Sequence, residues 1–164
     1  MKFDGRNAVF CKEITTGPWL GLISVAQTRE DEYRPCLAYW HPILRRDCWL
    51  TVDSNPEREL ASMLEFVASR GALHGAVVAR TQLEDRKIPG VFPDFCATYH
   101  GRYVPMELLG RVNDPEYCRV KERQRQICMD AGMSRLDFVV GETFSERRER
   151  MKKLVRMLFP DRFA

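Results

Sequence analysis

No stretch of this sequence stays apolar for long enough to cross a bilayer: the most apolar run, WLGLISVA from Trp19, falls far short of the about 20 residues that a spanning helix needs. The opening MKFDGRNAVF likewise lacks the apolar core of a secretory leader. Both absences point to a cytoplasmic protein with no membrane contact. There is no C-x-x-C pair either. The six cysteines (Cys11, Cys36, Cys48, Cys96, Cys118, Cys128) are scattered, and in a reducing compartment all six are expected as free thiols. A glycine-rich phosphate loop is missing, because TTGPWLG has neither the spacing nor the following lysine and helix of a phosphate cradle. No repeat, low-complexity segment or linker interrupts the chain.

What is present is enough apolar material for a core. With 164 residues, 45% hydrophobic and 10% aromatic, the chain is expected to form a single domain over 1–164. Charge is nearly balanced overall at +3 but unevenly spread. From Arg111 onward there are 13 Lys and Arg against 9 Asp and Glu, whereas the first 110 residues carry 13 against 14. The basic bias of the last third suits contact with phosphates or with an acidic protein surface.

Short apolar runs separated by turn residues dominate the first third. NAVFCKE, WLGLISVAQ, PCLAYWH and CWLTVDS are expected as strands of an antiparallel meander, with TTGP, TREDEYRP and HPILRRD as connections. In NPERELASMLEFVASRGA the period turns helical through Leu60, Met63, Leu64 and Val67, with Asn55 as N-cap and Gly71 in a left-handed C-terminal position. HGAVVARTQ and FCATYHGRYV follow as strands, with the loop EDRKIPGVFPD between them and Gly101 marking a bulge or a turn in the second. A second helix runs from Asp114–Pro115 to Gly132, its inward positions Tyr117, Val120, Ile127 and Ala131, with Gln124 interrupting that stripe. SRLDFVVGE supplies the last strand, and Thr143 with Glu146 stands at capping-box spacing before a closing amphipathic helix. The fold class is therefore α+β: an antiparallel sheet covered by about three helices, the meander running into an order compatible with the ferredoxin-like βαββαβ.

Residue types that carry chemistry are present without a decisive pattern. Cys36 with His41, and Cys96 with His100, resemble halves of a zinc site. In a strand, however, an offset of five puts the first pair on opposite faces, and an offset of four separates the second by about 13 Å. Cys96 beside His100 is the thiol–imidazole candidate for nucleophilic catalysis, and core packing is the usual fate of such thiols. Pro93–Asp94 would open a metal-dependent nuclease pattern, in which a Pro-Asp pair precedes a strand bearing Glu-x-Lys. No later strand carries that triplet, and LDFVVGE offers Asp137 and Glu142 without the lysine. Asp47 and Asp53 flank a strand as surface acids. No catalytic residue, metal site or cofactor is assigned on these grounds.

The basic helices remain. Met151, Leu154, Val155 and Leu158 define the buried side of SERRERMKKLVRM, which leaves Arg148, Lys152 and Arg156 in one outward row with Lys153 beside it. Glu149 can pair with Lys153, and Glu146 with Arg150, at i, i+4. Arg119, Lys121, Arg123 and Arg125 add basic positions on the preceding helix. Aromatics such as Tyr39, Trp40, Tyr99 and Tyr103 could stack bases, although the RNA-recognition signature is missing. The expected function is non-catalytic binding of nucleic acid or of an acidic protein surface through Arg148, Lys152, Lys153, Arg156, Arg119 and Arg123. The alternatives are an inhibitor or assembly subunit that contacts protein alone, and a small intracellular enzyme whose Cys/His or carboxylate site assembles from distant strands.

Overall fold

Short apolar runs in the first third build a sheet around one long hairpin. The computed structural model describes residues 8–10, 17–29, 32–81 and 88–162, and the chain divides into two compact units, Met1–Ser62 and Met63–Ala164. In the first unit, β2 (Trp19–Arg29) and β3 (Glu32–Arg45) pair antiparallel from Trp19 beside Pro42 to Arg29 beside Glu32. β1 (Ala8–Phe10) lies parallel to β3 on its other edge, and β4 (Cys48–Thr51) returns antiparallel to the end of β3. The expected meander is thereby corrected to the order β1-β3-β2 with β4 also on β3. Much of TREDEYRP and HPILRRD, expected as connection, is strand. The ribbon tolerates Pro35 because a register shift between Ser24 and Val25 leaves Cys36 as an extra residue beside it. Gly21 lies opposite Trp40, where a Cβ would come within 2.5 Å of the indole.

Helix α1 (Asn55–Arg70) starts one residue earlier than expected: Ser54 Oγ accepts from Glu57 N at 3.2 Å, so Ser54 and not Asn55 is the cap. Gly71 follows it without entering the left-handed region. Leu60 and Leu64 are buried, as their spacing requires, with Leu64 fully excluded from solvent. Leu64→Ala is expected to destabilise the protein by about 2–4 kcal/mol in urea unfolding; a change of about half a kcal/mol or less would contradict this phase of the helix.

The second unit holds a four-stranded sheet in the order β5 (Val77–Arg80), β6 (Phe95–Tyr99), β7 (Arg102–Leu109), β8 (Leu136–Val139). FCATYHGRYV, in which Gly101 signals a bulge or a turn, does turn: the chain reverses at His100 (φ 46) and Gly101 (φ 80) into a two-residue hairpin. β7 then runs on through Pro105, which is accommodated because pairing with β8 begins only at Met106. Helix α2 (Pro115–Asp130) crosses over to make β8 parallel to β7. Three strands therefore stand between α1 and α2, and β4 belongs to the other sheet. The order from α1 is αβββαβ with α3 (Phe144–Leu158) appended, in place of βαββαβ. The α+β class with three helices stands.

The caps of the last two helices agree with their sequence signals. Asp114 Oδ1 accepts from Glu116 N and Tyr117 N at 3.0 and 3.1 Å, Gly132 is left-handed at φ 72, and Thr143 and Glu146 form the reciprocal box. Met151, Leu154, Val155 and Leu158 are buried as expected, and α3 packs on β6, β7 and β8. Among the described residues, no helix is long and apolar enough to cross a membrane. Cys36, Cys48, Cys96, Cys118 and Cys128 are free thiols; Cys11 lies outside the described residues.

Candidate active site

The hairpin register decides which side chains meet. Phe95 pairs with Met106, so one step further Asp94 stands opposite Glu107; Glu107 in turn is the register partner of Asp137 on β8. Alternation puts Asp94, Glu107 and Asp137 in a row across three neighbouring strands, on the face opposite to Phe95, Met106 and Leu136. Like charges directly opposed across strands are unfavourable, so the row needs counterions. Helix α2 supplies them. Lys121 Nζ pairs with Glu107 Oε1, and Arg125 Nη2 with Asp137 Oδ2. Arg135, its side chain wholly buried, grips Asp137 with Nε at 2.7 Å and Nη2 at 3.2 Å, and Nη2 also donates to Lys121 O at 3.0 Å. That last bond ties the helical turn bearing Lys121 to β8.

This arrangement corrects part of the expected inward face of α2. Tyr117, Gln124 and Ile127 are half-buried as expected, but Val120 is 52% exposed and Ala131 is exposed, whereas Lys121 faces inward and Cys128 is buried with Ile88 and Val91. The helix lies on an acidic row, so its inner face carries counterions where periodicity expects apolar groups.

Asp137 has its charge met by two arginines. Asp94 and Glu107 are less well provided for. Asp94 Oδ2 accepts from Leu108 N at 2.8 Å. Glu107 is 1% exposed, and its Oε2 has no partner among the described residues. A buried carboxylate oxygen left without a donor costs free energy in any fold that does not use it. Burial raises the pKa of both acids. Glu107, with the Asp94 charge as second cause, is pushed up to about 7 against the opposing pull of Lys121 and Arg135.

The sign of the resulting pH dependence follows directly. A carboxyl that holds its proton more tightly when folded makes the protein lose stability as pH rises from about 4.5, where the unfolded chain ionises, to about 7. The loss amounts to about 3 kcal/mol and levels off above that range. Glu107→Gln is expected to remove this slope, so that metal-free denaturation curves of wild type and variant diverge between pH 4.5 and 7, the variant becoming the more stable. Parallel pH profiles would contradict the buried-acid assignment.

The six basic positions singled out in the sequence are all exposed, but they do not form one surface. Arg148, Lys152 and Arg156 line one groove of α3, together with Val67, Ala72, Met151 and Val155. Lys153 lies on the other side of the helix, in a cavity with Arg125, Arg135 and Arg150. Arg119 and Arg123 stand on the outer face of α2. Two expected ion pairs are replaced. Glu149 pairs with Lys152 at 2.6 Å rather than with Lys153, and Arg150 pairs with Glu142 at 2.7 Å because Glu146 is engaged in the cap of α3.

Cys96 and His100 are not drawn together: Cys96 sits within β6 beside Pro105, and His100 stacks on Tyr99 at 4.3 Å. His41 pairs with Asp53 at 3.5 Å. Among the described residues, no group of three or more His, Cys, Asp or Glu has the geometry to hold a metal. Sequence reasoning misses Glu107 and takes Lys121 only as one basic position of its helix. The available signal is an acid inside the otherwise apolar VPMELL, thirteen residues after Asp94. No known family, curated protein or solved structure matches the chain.

Proposed function

We propose that this chain is a divalent-metal-dependent phosphodiesterase acting on nucleic acid, with Asp94 and Glu107 as the metal-holding carboxylates and Lys121 as the catalytic cation. The observation that carries the reading is the buried cross-strand acid pair facing a lysine, with Glu107 Oε2 unpartnered among the described residues. Mg²⁺ binds through one or two carboxylates and keeps waters and substrate oxygens for its other positions, so a pair of acids suffices where zinc would demand a fuller set. Glu107 supplies an unused oxygen, and the mutual repulsion of the pair is relieved by a dication. This reading replaces the cofactor-free, binding-only expectation and keeps nucleic acid as the partner, now as substrate.

When bound, such a metal polarises the phosphoryl oxygens and lowers the pKa of an attacking water. The chain's own residues do the rest. Asp94 and Glu107 would hold the cation, and Asp94 is itself held by the Leu108 amide. The Lys121 ammonium stabilises charge that builds on the phosphoryl oxygens, and Arg135 holds the lysine's turn in place. One P–O bond forms to water and one breaks to the sugar oxygen, which leaves with a proton. Arg119 and Arg123, exposed on the same helix, are suited to backbone phosphates flanking that bond.

Metal binding is tested by thermal unfolding at pH 8 with and without millimolar Mg²⁺ or Mn²⁺. Wild type is expected to be stabilised in proportion to the logarithm of metal concentration above Kd, and Asp94→Asn/Glu107→Gln is expected to show no such shift. Equal shifts in both proteins would remove these acids from the metal site.

A further inference from the structure

The row Arg148, Lys152 and Arg156 belongs to a different surface from the acid pair. These side chains rim a groove of about 440 Å³ whose floor and wall are Val67, Ala72, Met151 and Val155, with no carboxylate lining it among the described residues. Met151 and Val155 are 7% exposed, so the floor is formed by the outer edge of the core stripe. From 148 to 156 the rim spans about 12 Å, two turns of helix. Helix α3 packs on the sheet through its apolar stripe, whereas α2 covers the acidic row. The groove therefore opens away from Asp94 and Glu107.

Apolar floor and cationic rim make two demands on an occupant. It must bring large apolar side chains to fill a concave slot, and it must bring negative charge at a spacing of about one turn. Nucleic acid meets the second demand and not the first, because sugar and phosphate gain nothing from aliphatic walls. A membrane surface is flat, and a concave slot on the protein offers it nothing to insert. An amphipathic helix with Leu or Phe at i, i+3 or i+4 and i+7, flanked by Asp and Glu, meets both demands. We propose that this groove docks an acidic amphipathic helix of a partner protein, with apolar anchors over Met151 and Val155 and carboxylates against Arg148, Lys152 and Arg156. Lys152 exchanges its pairing with Glu149 for the partner's acid.

The test is selection of a displayed random library of twelve-residue peptides on the full chain, followed by titration of the best synthetic peptide. Enriched peptides are expected to combine two or three large apolar residues at helical spacing with two or more acids. Arg148→Glu/Lys152→Glu is expected to weaken binding at least tenfold, and Ala72→Trp to weaken it by filling the slot. All three positions are exposed, so circular dichroism is expected to be unchanged. Peptides lacking acids, binding insensitive to charge reversal, or no enrichment would overturn the proposal. So would displacement of the peptide by a short DNA duplex or by phosphatidylserine vesicles, which would reassign the groove to nucleic acid or to lipid. None of these outcomes depends on metal or on cleavage.

Discussion

Glu107→Gln and Asp94→Asn are each expected to abolish the proposed metal-dependent cleavage, by at least about a thousandfold, equivalent to about 4 kcal/mol of transition-state stabilisation. The two substitutions keep the shape of the side chain and remove only its charge. They also relieve the repulsion between opposed carboxylates, and Glu107→Gln removes a buried acid whose pKa stands near 7. The inactive variants are therefore expected to be more stable than wild type above pH 7 when metal is absent. Loss of activity combined with gain of stability is the signature of a site whose charges serve chemistry. A purely structural ion pair predicts the reverse, because removing one partner of a buried pair is strongly destabilising. Steady-state cleavage and urea unfolding of the same preparations decide between the two.

Lys121→Met is expected to lower kcat by about a hundredfold to ten-thousandfold while leaving metal affinity equal or tighter. Removing the ammonium takes a competing cation away from Glu107 Oε1, so the dication meets a less well compensated carboxylate. The same removal raises the pKa of Glu107 further, because Lys121 is one of the two cations that hold it down. The pH at which metal binding reaches half its maximum consequently moves upward. Arginine is not an adequate substitute: its planar guanidinium replaces a compact ammonium in a space set by Tyr117, whose ring lies 5.5 Å from Nζ. A Lys121→Met protein with unchanged kcat would assign the lysine to structure alone.

The parts of the fold that were legible in the sequence are those governed by local chemistry. Asp114, Pro115 and Gly132 bracket α2, and Thr143 with Glu146 opens α3, because capping satisfies orphan backbone groups within a few residues of the chain. The buried stripe of α3 follows from spacing alone, since its inner face meets an apolar sheet. Helix α2 has equally clear ends but a partly misread face: Tyr117, Gln124 and Ile127 face inward as expected, but periodicity assigns charged residues to solvent and here Lys121 pairs with a buried acid. The site itself depends on register. Asp94 and Glu107 are thirteen residues apart and meet only because His100 and Gly101 make a two-residue turn, which sets Phe95 against Met106. Pro93–Asp94 was a visible cue, but its lysine comes from a helix and not from the strand that carries the second acid. A strand triplet is thus replaced by two residues fourteen positions apart, which no linear spacing exposes.

The most direct test of the catalytic claim is incubation of the full chain with end-labelled single-stranded and duplex DNA and RNA in Mg²⁺, in Mn²⁺ and in EDTA, beside Asp94→Asn/Glu107→Gln. The account predicts cleavage of at least one of these polymers that requires the metal, stops in EDTA and is lost in the double variant. Cleavage that persists in the double variant, or intact polymers in every metal condition, would contradict it.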